Sequence, residues 1–160
     1  AVAAAPDEAR GYSNLGQALD AQGDARGAEA AYRRALDLTP DSAPAYNRLA
    51  ALLGRQGRFE ESARLSRRAL ELDPASAAAE NNLGIIATTG GRLDEAVAHF
   101  RRAVVIEPDS PQGRRNLAGV YLQMGRLDDA RAEFEAALRL APGDERSRQG
   151  LAEVHRRLGR

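Results

Sequence analysis

The sequence predicts an all-α fold, an array of short helix pairs stacked one on the next. Three observations carry that expectation. Proline recurs at Pro6, Pro40, Pro74, Pro108 and Pro142, each 34 residues after the last. Glycine recurs with the same spacing at Gly23, Gly57, Gly91, Gly125 and Gly159. Between these marks the apolar residues follow a helical period, and Leu15, Leu49, Leu83, Leu117 and Leu151 keep the 34-residue register, as do Ala35, Ala69, Ala103 and Ala137. A fixed period of this length marks a repeat array. Each helix pair is too small to bury its own apolar face, and stacked neighbours bury it instead.

The elements follow in order. Residues 1–6, AVAAAP, align with ALDLTP, ALELDP, AVVIEP and ALRLAP, and so read as the tail of a preceding second helix. Four repeats then span 9–42, 43–76, 77–110 and 111–144. In the first, Tyr12, Leu15 and Gly16 lie on the first helix and Ala28, Tyr32 and Ala35 on the second, which Pro40 closes. Arg26 and Gly27 stand at the start of that second helix, where later repeats have acids. An interior glycine there would cost about 1 kcal/mol relative to alanine.

The second repeat shows the pattern in full. Tyr46, Leu49, Ala50 and Leu53 fall on one helical face. After Gly57, Phe59, Ala63, Ala69, Leu70 and Leu72 are apolar, with Glu60 and Glu61 at the end that the helix dipole favours. Pro74 cannot continue the helix and restricts the residue before it. Ser62 and Ser66 stand where the other repeats carry alanine and an aromatic, which predicts looser packing.

The third repeat has Leu83, Gly84, Ala96, Phe100 and Ala103, and the fourth Leu117, Ala118, Ala130, Phe134 and Ala137. Gly16, Ala50, Gly84, Ala118 and Ala152 follow the recurring leucine, where two helices must approach closely. A last helix over 145–160 turns Leu151, Val154 and Leu158 to the fourth repeat and keeps Arg146, Arg148, Gln149, Glu153, Arg156 and Arg157 elsewhere, as a terminal cap requires. Asp41, Ser42, Ser76, Asp109, Ser110 and Asp144 are the N-cap candidates.

Asn14-Leu15-Gly16, Asn82-Leu83-Gly84 and the alanine, aromatic, alanine, proline series (Ala96, Phe100, Ala103, Pro108 in the third repeat) resemble the tetratricopeptide repeat (TPR) family. The resemblance implies a right-handed α-solenoid of about four and a half repeats, with nine helices. It also implies that the first helices line a concave surface on which an extended peptide or partner segment binds. The implied peptide-binding positions are Asn14, Gln17, Asn47, Arg48, Arg55, Asn81, Asn82, Ile85, Gln112, Arg115, Asn116 and Arg146, with Ser13, Ala51, Thr89, Gly119 and Gln149 beside them. Amides pair with a peptide backbone as donor and acceptor, and arginine adds bidentate recognition of carboxylates. An acidic peptide, or one with a free C-terminus, is therefore the expected partner. A clamp for acidic chaperone C-termini would be only partial, since Ile85 and Gly150 occupy two of its places. The family's first aromatic is present as Tyr12 and Tyr46 but is replaced by Glu80 and Arg114.

Composition narrows the function further. The formal net charge is zero and the pI about 7.0, which argues against nucleic acid or an anionic membrane as partner. No apolar run approaches the roughly 20 residues needed to span a bilayer. All 23 basic residues are arginine, which with the abundant alanine points to a bacterial chain. There is no cysteine, so thiolate metal sites, disulfides and cysteine nucleophiles are excluded.

The stretch Thr88-Thr89-Gly90-Gly91 looks like a phosphate loop, but such a loop needs a lysine and the chain has none. Gly91 belongs to the turn series. Glu95 and His99, one turn apart, read as an ion pair on a solvated helix face, because no third ligand has metal spacing. The pairs Arg33-Arg34, Arg67-Arg68 and Arg101-Arg102 read as an outer face balanced by Glu29, Asp37 and Glu71. No cofactor, metal or enzymatic centre is expected. Two other readings fit the same residues: the substrate-recruiting arm of a larger bacterial enzyme of glycosyltransferase or sulfotransferase type, and a designed, consensus-like scaffold. Ser62, Ser66, Glu80 and Arg114 count against the second.

Overall fold

A computed structural model describes residues 4–159, with side chains described from residue 7. Among the described residues there are nine α-helices and no strand: α1 (Ala4–Ala21), α2 (Ala25–Leu38), α3 (Ala43–Arg55), α4 (Phe59–Leu72), α5 (Ala77–Thr89), α6 (Leu93–Ile106), α7 (Pro111–Gln123), α8 (Leu127–Leu140) and α9 (Glu145–Arg157). This is the helical-repeat solenoid class that the period predicts. The reading of residues 1–6 as the tail of an earlier helix falls largely outside the described residues. Ala4–Pro6, the part inside, belong to the first turn of α1, where proline's missing N–H is not needed.

Two kinds of corner alternate. Within each pair the chain reverses at Gly23, Gly57, Gly91 or Gly125, and Gly159 follows α9; among the described residues these five alone have positive φ, between 71° and 81°. Only glycine adopts that conformation without strain. At Gly91 the Arg92 N–H donates to the Ala87 carbonyl at 2.9 Å, closing the end of α5. Thr88-Thr89-Gly90-Gly91 is thus a helix stop. Between pairs, Ser42, Ser76 and Ser110 accept the N–H of Ala45, Ala79 and Gly113 at 3.3–3.4 Å. The neighbouring Asp41 and Asp109 do not cap. Asp144 is the N-cap of α9 but makes no side-chain bond to its backbone.

The second helices begin in two ways. Arg58, Arg92 and Arg126 are the N-cap residues of α4, α6 and α8, and none makes a side-chain cap bond. Each instead pairs with the acid three residues on: Arg58 with Glu61, Arg92 with Glu95 and Arg126 with Asp129. The start of α2 inverts this. Asp24 is the N-cap and accepts the Gly27 N–H at 2.9 Å. Gly27 is therefore a first-turn residue and not the interior glycine that the sequence suggests. A Cβ on it would stand 2.3 Å from Asp24 Oδ2.

The chain divides into two compact units, Ala1–Asn82 and Leu83–Arg160. In the N-terminal unit Tyr32, Leu49, Leu52 and Leu53 form one core cluster and Ala43, Ala69 and Ala79 another. In the C-terminal unit Phe100, Leu117, Val120, Tyr121, Phe134 and Val154 share one core. Aromatic rings pack directly against glycine: a Cβ at Gly16 would meet Tyr32 at 2.7 Å, and one at Gly84 would meet Phe100 at 2.6 Å. Phe134 lies against Gly150 of α9, 2.2 Å from where a Cβ would be, and the equivalent of Gly16 and Gly84 in its own repeat is Ala118.

Leu49, Leu83 and Leu117 are buried as their register predicts, but Leu15 is 47% exposed. Leu49 clusters with Ala28 and Tyr32 of α2, and Leu117 with Val97 and Phe100 of α6, whereas no second helix precedes α1 among the described residues. Ser62 and Ser66 are both fully buried, so their helix is not loosely covered. Ser62 Oγ donates to the Ala50 carbonyl at 2.7 Å, whereas Ser66 Oγ has no partner.

Candidate functional site

The first helices of each unit flank a cleft. In the N-terminal unit α1 supplies Ala9, Arg10, Ser13 and Asn14, and α3 supplies Pro44, Ala45 and Arg48. Ala35, Thr39 and Ser42 close a space of about 380 Å³. In the C-terminal unit Ile85, Thr88 and Thr89 of α5 face Arg115, Asn116, Gly119, Val120 and Gln123 of α7 across about 220 Å³, with Phe100 beneath. Of the residues that the family resemblance implies, Asn14 and Arg48 line the first cleft, and Ile85, Arg115 and Asn116 the second.

The others lie outside both clefts. Gln17, Gln112 and Arg146 are exposed. Asn47 is buried: its Nδ2 donates to Ser76 Oγ at 2.7 Å, and Oδ1 has no partner. Asn82 Nδ2 donates to the Asn47 carbonyl at 3.2 Å, so its amide ties α5 to α3. Asn81 Nδ2 donates to Ala77 O, one turn back on its own helix.

The arginines divide by partner. Arg55 is held by Asp20 at 2.5 Å, and Arg115 by Asp144 at 2.9 Å. Asp144 also accepts from Ser147 Oγ at 2.6 Å. The Ser147 bond first, with the Arg115 bond behind it, holds the Asp144 carboxyl below its ordinary range. Arg48 differs. It donates to Ser13 Oγ at 2.7 Å and has no carboxylate partner among the described residues.

Sequence reasoning missed several of the lining residues. Arg10 was legible, since it lies one turn before Asn14 on the same face. Thr39 and Phe100 were not, because they reach the clefts from second helices or the segments after them.

The outer arginines are paired more tightly than spacing alone predicts. Arg33 and Arg58 each bridge Glu29 and Glu61, with all four contacts between 2.5 and 2.9 Å. Burial alone would raise the Glu29 pKa, but the bonds from Arg33 and Arg58 outweigh it and lower it. The Arg33 bond, with Arg58 adding to it, lowers that of Glu61. Arg68, not Arg67, pairs with Glu71, and Arg34 lies over the Tyr12 ring. His99 stands 3.8 Å from Glu95 and accepts from Arg102 at Nδ1. Among the described residues no group of three acids, histidines or cysteines is placed to hold a metal.

Sequence models of the tetratricopeptide repeat match residues 9–42, 47–114 and 87–154. No curated protein matches the chain. Among solved structures, one from the functional characterisation of Pseudomonas aeruginosa pilF is 25% identical, with a TM-score of 0.89 over 98% of this chain and 71% of that one. A MamA structure is 23% identical, with a TM-score of 0.75 over 96% of this chain and 84% of its own. YrrB, described as a TPR protein with an unusual peptide-binding site, is 20% identical, with a TM-score of 0.68 over 92% and 76%.

Proposed function

Because the chain belongs to the tetratricopeptide repeat family, whose repeats are generally non-catalytic scaffolds, we propose that it is a protein-interaction scaffold. The face built from its first helices receives an extended peptide or partner segment. The observation that carries this reading is the recurrence of a cleft between first helices in both units. YrrB, of the same fold, is described as having a peptide-binding site, which agrees with it.

The charge of the partner follows from Arg48. Arg55 and Arg115 already have carboxylates, so they add little attraction for an acidic ligand. Of the described arginines that line the two clefts, Arg10 is paired with Asp7 and Arg115 with Asp144, whereas Arg48 holds only a hydroxyl and can meet an aspartate, a glutamate or a C-terminal carboxylate. A peptide library selected on the chain should therefore enrich acidic sequences. Arg48→Glu should weaken the selected peptides about tenfold or more, the worth of a charge-assisted hydrogen bond, with the helical fold retained by circular dichroism. Enrichment of basic peptides, or binding indifferent to Arg48→Glu, would show that this cleft is not the site.

A further inference from the structure

We infer that the cleft of the C-terminal unit is a socket for one aliphatic side chain, leucine or methionine, of a bound neutral segment, and that Gly119 is the residue that opens it. The inference rests on reading the first-helix face as ligand-bearing. It adds which chemistry the C-terminal unit selects.

Gly119 sits inside α7 (Pro111–Gln123), where glycine weakens a helix relative to alanine. Gly16, Gly84 and Gly150 meet that same penalty for a visible reason, since a ring occupies the space a Cβ would need. Gly119 has no such reason: a Cβ built there meets nothing within 4 Å. Gly11 is equally open, but it lies exposed on α1 and lines no cleft. At the equivalent position the other repeats carry Gln17, Ala51 and Ile85, and the last helix Glu153. The absent side chain is what leaves the notch.

The lining selects its occupant. Ile85, 44% exposed, stands at the cleft, and Phe100 and Val120 are apolar. The Thr88 and Thr89 hydroxyls donate to Gly84 O and Ile85 O in their own helix and ask nothing of a ligand. The one charged lining residue, Arg115, is matched by Asp144, so the complementary occupant is neutral. At about 220 Å³ the space is smaller than a small-molecule site. It suits a single side chain, whose removal from water supplies the attraction.

The test is a titration of the isotope-labelled protein, followed by backbone amide shifts, with acetyl-Ser-Gly-Ser-Xaa-Ser-Gly-Ser-amide peptides in which Xaa is Leu, Met, Ala or Gln. The Leu and Met peptides should shift the amides of Ile85, Thr89, Asn116 and Gly119, with the Ala and Gln peptides about fivefold weaker or more. Gly119→Leu should abolish these shifts without lowering the melting temperature. Should that variant fold poorly, Gly119→Ala decides: it should raise the melting temperature and weaken the Leu peptide about threefold. Equal response to all four peptides, or unchanged binding in the variant used, overturns the socket. If acidic peptides still bind through Arg48, only the socket falls. If the leucine shifts persist while Arg48→Glu has no effect, only the acidic-peptide reading falls.

Discussion

Tyr46 and Arg114 stand at equivalent positions two repeats apart and make the same bond. The Tyr46 hydroxyl donates to the Pro40 carbonyl at 3.2 Å, and Arg114 Nε donates to the Pro108 carbonyl at 3.1 Å. In these two repeats a long side chain with a donor at its tip makes the bond, and an arginine supplies that as well as an aromatic does. Arg114 also reaches Glu133 at 3.1 Å. Ser66 is the opposite case. It replaces the ring of Tyr32, Phe100 and Phe134 with a hydroxyl that is buried and has no partner. Ser66→Ala should therefore stabilise the protein by about 1 kcal/mol, the cost of an unmet buried polar group. Ser62→Ala, which deletes a 2.7 Å bond to the Ala50 carbonyl, should not stabilise it. Urea midpoints at constant m-value measure both, and a gain from the second but not the first would contradict the argument. The turn glycines allow a second comparison. Gly91→Ala forces φ of +72° on an alanine and should cost about 1–2 kcal/mol. Gly90→Ala needs only the end of the Arg92 side chain to move, and should stay within about 0.5 kcal/mol of the parent.

At the scale of the helix, the two kinds of start carry different energies. Asp24 satisfies a backbone N–H that would otherwise be orphaned, so Asp24→Ala should cost about 1 kcal/mol. Arg92 and Glu95 form an exposed pair three residues apart, and Arg92→Ala should cost about 0.2–0.5 kcal/mol. Hydrogen exchange gives the local reading: amides in the first turn of α2 should lose protection in Asp24→Ala, while those of α6 barely change in Arg92→Ala. Comparable losses in both would mean that the Asp24 cap is not what starts α2. Helix existence and corner type were legible because proline and glycine act through local backbone sterics. The start of α2 was less so, since Gly27 reads as interior unless the bond from its N–H to Asp24 is known. The exposure of Leu15 was equally hidden, because register names the neighbour a residue wants and not whether one is present.

For the whole molecule, acids and bases are equal in number, 23 each, and much of this charge is spent on internal pairs. That is why the candidate face was only partly legible: spacing put Arg48, Arg55 and Arg115 on one face but could not show that Asp20 and Asp144 would take two of them. The same pairing predicts how stability depends on pH. Glu29, Glu61 and Asp144 have native pKa values below the ordinary carboxylate range. Between the native and unfolded values the unfolded chain binds more protons, so stability rises with pH there. The contribution is complete above the unfolded values, about 4, and is lost as pH falls through the lower native ones. Urea midpoints should therefore be nearly flat from about pH 7 to 5 and fall as the pH drops below about 4, the unfolded carboxylate value. Glu61→Gln and Asp144→Asn should each lower the midpoint at pH 7 and make that fall shallower, because the variant has less left to lose. Salt separates the two sites. At about 1 M, where the screening length is about 3 Å, the exposed Arg33–Glu61 and Arg58–Glu61 pairs should weaken more than Asp144, whose side chain is 14% exposed. The effect of Glu61→Gln should shrink in high salt and that of Asp144→Asn should largely survive. An acid fall of unchanged steepness in both variants would assign it to the net positive charge that builds up as all the carboxylates protonate, and not to Glu61 or Asp144.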